Sequence, residues 1–92
     1  MKIRLKSIGD LRDYFGREPQ EMELPDGAAF RGLLIAIGER WGDLLPLYLW
    51  DAEKSQFKGA VFLVVNKQVV QDLERPLQDG QEVILMKAMS GG

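Results

Sequence analysis

Apolar and polar residues alternate at the start of the chain. In "MKIRLKSIG", Ile3 and Leu5 share one parity, and the basic residues Lys2, Arg4 and Lys6 share the other. A period of two over this length predicts a β-strand with one exposed face. The stretch "EMELP" predicts a second short strand, so that residues 1–9 and 20–25 form an antiparallel hairpin. The long connection between them, "DLRDYFG", predicts a turn or a short helical segment.

The segment "DGAAFRGLLIAIGERWG", residues 26–42, has the periodicity of an amphipathic helix. Its large apolar residues recur at spacings of three and four and form one stripe, namely Phe30, Leu33, Leu34, Ile37 and Trp41. Asp26 is the predicted N-cap and Gly42 the predicted stop. The two internal glycines destabilise a helix by roughly 1 kcal/mol each, so tertiary packing must hold it. The next residues, "DLLPLYLWDAEKSQ", predict a short helical turn and then a polar loop.

The last third of the chain predicts three strands. "KGAVFLVVNKQVV" is apolar on both parities, which suits a central strand, and Asn66-Lys67 can turn it into a short partner strand. "QEVILMKAM" predicts the final strand, with Val83 and Leu85 on its core side. The order β-β-α-β-(β)-β indicates the α+β class. It predicts a roll in which a mixed sheet of four to five strands packs on one main helix, with the first and last strands adjacent at the centre.

The amino-acid composition excludes some classes of functional site and disfavours others. Ninety-two residues make one domain, and 46% hydrophobic residues can form its core. The chain has no cysteine and no histidine, which excludes disulfides, cysteine nucleophiles and the commonest metal ligands and disfavours catalysis by this chain alone. A net charge of −2 with mixed signs argues against a nucleic-acid partner. The sequence lacks a long apolar run and a signal-peptide pattern, so we expect no membrane partner and a cytoplasmic location.

The chain ends on "MKAMSGG". Because the predicted last strand runs to about Ala88, we divide the chain into a domain, residues 1–88, and a flexible tail, residues 89–92. Four extended residues reach roughly 13 Å, at about 3.3 Å each. Glycine has no Cβ and can lie against another backbone in a narrow site, so Gly91 and Gly92 favour a functional end whose reactive group is the Gly92 carboxylate. An ordinary flexible tail or a cloning scar is the alternative.

A second clue lies on the side of the sheet opposite the core. Ile84 and Met86 have the parity opposite to the core residues of the last strand, and Ile8 has the parity opposite to those of the first. If the terminal strands are neighbours, these three cluster beside the tail, and Val69 extends the cluster. An exposed apolar patch of this kind marks a protein interface. The alternative is that a loop, residues 43–58, covers it.

The C-terminal stretch "VNKQVVQDLERPLQDGQEVILMKAMSGG" resembles the MoaD/ThiS family of ubiquitin-like sulfur carriers. The motifs that carry the resemblance are Val65-Asn66, Pro76-Leu77, Asp79-Gly80, Glu82-Val83 and Gly91-Gly92. The opening strand, "LRDYFG" and "PDGAAFRGLL" also fit, so the resemblance spans the whole chain. The length looks more like the small subunit of molybdopterin synthase than the shorter thiazole carriers.

The resemblance implies a β-grasp fold and a two-step chemistry at Gly92. A ubiquitin-activating-type adenylyltransferase (MoeB/ThiF-like) uses ATP and Mg²⁺ to form a transient acyl-AMP. A sulfur donor then converts it to a thiocarboxylate, a C-terminal 1-thioglycine, and no cofactor is bound permanently. The chain alone is a non-catalytic carrier, the small subunit of a molybdopterin synthase-type sulfurtransferase complex. Its tail inserts into a larger subunit (MoaE-like) or another sulfur acceptor enzyme.

The family's contact surface falls, by position, on Ile8, Val69 and Met86, which is the patch inferred from parity. With the residues around it and before the glycines, the predicted partner-binding set is Ile8, Val69, Ile84, Met86, Lys87, Met89 and Ser90. The sequence departs from the usual pattern of the family at two places, and both departures bear on which partner the chain binds. Lys87-Ala88 stands where the family often has Pro-Pro, and Lys67 follows Asn66 where the family commonly has glycine.

The leading hypothesis is a sulfur carrier that supplies the molybdopterin precursor in molybdenum or tungsten cofactor biosynthesis. Carriers for thiazole and thiamine, for tRNA thiolation or for amino-acid synthesis belong to the same family. A ubiquitin-like modifier would instead join Gly92 to lysines through isopeptide bonds. A binding module with an inert tail is the fourth hypothesis.

Overall fold

The computed structural model describes residues 1–59 and 61–87. Its elements are β1 (Lys2–Ser7), α1 (Arg12–Phe15), β2 (Gln20–Glu23), α2 (Phe30–Trp41), β3 (Trp50–Asp51), β4 (Gln56–Phe57), β5 (Val61–Val65), β6 (Gln68–Val69) and β7 (Glu82–Lys87). Short 3-10 turns precede α1 and follow α2. The predicted tail lies outside the described residues, so the boundary at residue 88 stays a prediction.

Five strands form one mixed sheet in the order β2-β1-β7-β5-β6. The first and last strands lie side by side and are parallel, with Leu5 opposite Val83 and Ser7 opposite Leu85. The other pairs are antiparallel. These findings confirm the α+β class and the central pairing of the terminal strands. The run at residues 58–70 supplies β5 and β6, so β5 lies inside the sheet, although its centre is β7.

Helix α2 and the sheet enclose the core. The five residues of the predicted helical stripe are all buried, as are the inward side chains of β1 and β7. Ile3, Leu5, Val83 and Leu85 retain at most 1% exposure. The periodicity of three and four in α2 and of two in β1 therefore identified the core correctly, because each period places one face of its element against the other.

The predicted N-cap is wrong. Helix α2 begins at Phe30, its N-cap is Ala29, and no side chain caps it. The N–H groups of Phe30 and Arg31 instead donate to the carbonyls of Arg75 and Leu73, at 3.1 and 2.9 Å. A distant backbone segment thus satisfies donors that a local side chain usually binds. Asp26 lies in the preceding turn and pairs with the N-terminal ammonium at 3.1 Å.

Residues 43–58 also differ from the predicted polar loop, because β3 and β4 form a small antiparallel hairpin. Its Trp50 and Phe57 rings meet edge to face at 4.9 Å, and Phe57 meets Phe15 at 6.2 Å. A Cβ added at Gly38 of α2 would lie 2.8 Å from Trp50 Cζ2, so glycine lets this ring rest on the helix. The hairpin packs on the helix side of the sheet and does not cover the opposite face.

Candidate partner-binding surface

Strand β7 presents two apolar faces. Val83 and Leu85 are fully buried under α2, whereas Ile84 and Met86 point away from the helix and are half-buried. This confirms the parity assignment for β7. The outward side chains lie at the middle of the sheet, so their neighbours on the adjacent strands decide what kind of surface they form.

One row of neighbours crosses the sheet near the end of β7. Ile8 continues β1 in an extended conformation (φ −124°, ψ 146°) and donates its N–H to the Leu85 carbonyl at 3.1 Å. It therefore lies beside Met86, and Met86 is opposite Phe62 of β5. Ile8 is 44% exposed and Phe62 is 38% exposed. The row is apolar from β1 to β5.

A second row runs one step back along the strands. Ile84 is opposite Val64, and Val64 is opposite Val69, which is 48% exposed. Val64 points away from the main core, as its parity opposite to Leu63 and Val65 requires, and it is buried because Ile84 and Val69 flank it. Together the two rows form the outer apolar face, which consists of Ile8, Phe62, Val64, Val69, Ile84 and Met86.

Sequence reasoning missed two members of this face, Phe62 and Val64. The signal was present, because "AVFLVV" is apolar on both parities. That pattern predicts a central strand, and β5 does lie inside the sheet, but the pattern alone does not assign one parity to a partner surface. In the structure one parity of β5 meets the core and the other belongs to the outer apolar face.

The other half of the same sheet face is charged. Lys2, Arg4 and Lys6 alternate outward along β1, and β2 places Glu21 and Glu23 beside them. Lys2 Nζ lies 3.2 Å from Glu21 Oε1. The hydrogen bond that the Lys2 ammonium donates to Glu21, and then the charges of Glu21 and Glu23, raise the pKa of Lys2. Apart from Ile8, which continues β1, and Glu82, which begins β7, the surface thus changes from charged to apolar at the boundary between β1 and β7.

Lys87 is the last described residue, and its ammonium lies 3.1 Å from Asp10 Oδ2 in the 3-10 turn after β1. Both side chains are exposed, so the pair is expected to stabilise the fold little. One helical turn beyond Asp10, the Tyr14 hydroxyl is 3.3 Å from that of Tyr48. This contact, with partial desolvation and the nearby acidic residues, raises the pKa of Tyr14.

The remaining predicted site residues, Met89, Ser90, Gly91 and Gly92, lie outside the described residues, and their roles stay predictions. Within residues 1–59 and 61–87, acidic side chains do not gather in any group of three or more that could hold a metal ion. In the same ranges, no helix is both long and apolar enough to cross a membrane.

The family of the chain follows from its sequence. A sequence model described as the ThiS family matches residues 6–92. The chain belongs to the ThiS family. Because the match reaches the terminal Gly91 and Gly92, it confirms the resemblance to the MoaD/ThiS ubiquitin-like sulfur carriers. No curated protein matches the sequence.

Solved structures support the same fold across the whole chain. SAMP1 from Haloferax volcanii has a TM-score of 0.78 at 18% identity, with 100% of each chain covered. The putative molybdopterin converting factor subunit 1 of Pyrococcus furiosus has a TM-score of 0.73 at 25% identity, covering 97% of this chain and 99% of that one. A Helicobacter pylori complex of subunits 1 and 2 of the molybdopterin-converting factor gives 0.65 at 18% identity, with full coverage of both chains. The ubiquitin-like β-grasp fold is thereby confirmed.

Proposed function

We propose that this ThiS-family protein is a sulfur carrier whose Gly92 carboxylate is loaded by a ubiquitin-activating-type adenylyltransferase (MoeB/ThiF-like). One observation carries the proposal. Strand β7 contributes Ile84 and Met86 to the outer apolar face and ends at Lys87, five residues before Gly92. A partner that binds this face is therefore held beside the base of the tail. Enzymes thus bind the domain and thereby position Gly92 for reaction.

The chemistry then proceeds in two displacements. A carboxylate oxygen of Gly92 attacks the α-phosphorus of ATP, with Mg²⁺ supplied in the partner's site, and pyrophosphate leaves. A sulfur nucleophile at the oxidation level of hydrosulfide then attacks the acyl carbon of the adenylate. AMP leaves, and a thiocarboxylate remains at Gly92. The chain contributes no histidine or cysteine to either step, so its part is to bind and to present the carbon. The dependence on ATP supports a cytoplasmic location.

We propose the molybdopterin precursor as the sulfur acceptor, bound by a MoaE-like large subunit during molybdenum or tungsten cofactor biosynthesis. The 25% identity with the Pyrococcus furiosus protein supports this choice, since that protein is described as a putative subunit 1 of a molybdopterin converting factor. In the Helicobacter pylori structure, subunit 1 is bound to subunit 2. We propose that the tail residues Met89, Ser90 and Gly91 occupy the channel through which the tail enters the partner.

Intact mass tests the loading step. The protein is incubated with ATP, Mg²⁺, sulfide and the ThiF-type adenylyltransferase of the same organism. Replacement of oxygen by sulfur at Gly92 adds about 16 Da. A variant lacking Gly92, and Gly91→Val, are expected to stay at their starting masses while their thermal melts match the wild type. Ladders on lysines would indicate a modifier instead, and an unchanged wild-type mass would support an inert tail.

The acceptor is tested with the loaded protein. Thiocarboxylated protein is mixed with a MoaE-like large subunit and the pterin precursor, and the mass of the carrier is followed. Return to the starting mass only when the precursor is present supports molybdopterin synthesis. Sulfur transfer to a thiazole, tRNA or amino-acid system, with none to the pterin, would assign the carrier to that pathway.

A further inference from the structure

A second exposed apolar surface lies away from the outer apolar face. The segment that follows α2 exposes 82% of Leu47 and 71% of Tyr48. Isolated exposed apolar residues are ordinary on protein surfaces. These two are adjacent in sequence and are the most exposed large apolar side chains of the described chain. Their connection to Lys87, the last described residue, distinguishes them from such isolated residues.

Two side-chain contacts, separated by one helical turn, connect these residues to the base of the tail. Lys87 pairs with Asp10, Asp10 lies one helical turn before Tyr14, and the Tyr14 hydroxyl meets that of Tyr48. Asp10, Tyr14, Leu47 and Tyr48 are named here the exit surface. Ile8 directly precedes the 3-10 turn that holds Asp10, so the exit surface continues the outer apolar face around the end of the sheet.

The length of the tail limits where an enzyme can act on Gly92. Residues 88–92 span at most about 17 Å, at roughly 3.4 Å per extended residue. An enzyme that encloses the acyl carbon must therefore bring its reaction centre within that distance of Lys87. The enzyme surface around that reaction centre then lies close to the residues that surround the base of the tail.

We propose that the exit surface is a second docking site for the adenylyltransferase, and that it contacts an apolar, uncharged rim around the opening that admits the tail. The inference rests on the proposed function. Lys87 and Asp10 neutralise each other in an ion pair, so a rim without net charge fits this side of the base of the tail. Leu47 and Tyr48 supply apolar area, and the tyrosine hydroxyls can remain hydrated at its edge.

The test measures ATP–pyrophosphate exchange by the adenylyltransferase of the same organism at increasing concentrations of the carrier. The double variant Leu47→Ser/Tyr48→Ser is expected to raise the KM for the carrier about thirtyfold, with kcat nearly unchanged, since a few large apolar and aromatic side chains that become buried on binding supply much of an interface's free energy. Leu47→Ala is expected to raise it about threefold. The matched control is Ile35→Ser, an apolar residue of α2 that is 45% exposed and lies outside the exit surface.

A photo-crosslinking residue at position 47 gives a readout that is independent of activity. It is expected to capture the adenylyltransferase in the presence of ATP, while the same residue at position 35 does not. If the double variant keeps the wild-type KM while Met86→Asp raises it, the inference is overturned and the proposed function stands. If wild-type protein supports no exchange at all, both are overturned.

Discussion

The two faces of the central sheet are both apolar around β7, yet only one of them belongs to the core of the domain. Val83 and Leu85 lie under α2 with no exposed area, and their immediate neighbours Ile84 and Met86 remain half-buried on the other side. Side-chain chemistry does not distinguish the two pairs. The difference comes from topology, because the single long helix covers one face and the β3–β4 hairpin packs on that same side. The positions of apolar residues along β7 therefore predict two apolar faces. The packing of α2 and the hairpin determines which of the two stays exposed to a partner.

The outer face is also divided within itself. Its β1–β2 half carries Lys2, Arg4 and Lys6 beside two glutamates, whereas its β7–β5–β6 half is apolar beyond Glu82, the first residue of β7. Large exposed apolar patches on a monomer indicate interaction sites or cause aggregation. The apolar part occupies only one side of this face, and charged side chains border it.

The largest effect is expected on the core face. Leu85→Ala removes a fully buried side chain and leaves a cavity between β7 and α2, so the free energy of unfolding should fall by about 2–5 kcal/mol. Urea denaturation measures it. Met86→Ala on the same strand is the matched control, with an expected loss below about 1 kcal/mol. Equal losses for the two variants would show that both faces contribute to the core.

A smaller effect, in binding instead of stability, is expected on the outer face. Met86→Asp places a charge in the middle of the outer apolar face and should weaken binding to the adenylyltransferase by about 2 kcal/mol, or roughly thirtyfold. Titration calorimetry measures the affinity, and a thermal melt checks the fold. A large drop in melting temperature with unchanged affinity would assign Met86 to the core.

Phe62 tests whether the face extends beyond the residues that parity identified. It is opposite Met86 and 38% exposed, so Phe62→Ser should weaken the same binding by about 1 kcal/mol, or roughly fivefold. Lys67→Ser, in the exposed turn between β5 and β6, is the control and should bind like the wild type. Wild-type affinity of Phe62→Ser would restrict the interface to β1 and β7.

Elements with a clean period could be predicted from the sequence, and so could part of the site. The stripe from Phe30 to Trp41 and the alternation of Ile3 and Leu5 depend only on local geometry, and both identify core residues correctly. The start of α2 could not be predicted, because its first N–H groups bind carbonyls more than forty residues away. Trp50 and Phe57 were missed for a similar reason, since a two-residue strand has no period to detect.

The smallest effect is expected on the charged half of the outer face. Because the pKa of Lys2 is raised in the folded protein, its pair with Glu21 stabilises the fold below the usual lysine pKa of 10.5, and this contribution is lost as the pH rises through the folded value. Glu21→Gln should therefore leave the melting temperature nearly unchanged at neutral pH, with any difference from wild type vanishing in strong alkali.

Binding of Glu21→Gln to the adenylyltransferase should equal that of the wild type, because Glu21 lies in the edge strand β2 and β1 separates it from the apolar residues of β7. Calorimetry in low and moderate salt measures this, since salt screens exposed charges and leaves apolar contacts in place. A loss as large as that of Phe62→Ser, and one that salt abolishes, would place the charged half inside the interface. The partner would then cover the whole sheet face, and the boundary between β1 and β7 would not mark the edge of its footprint.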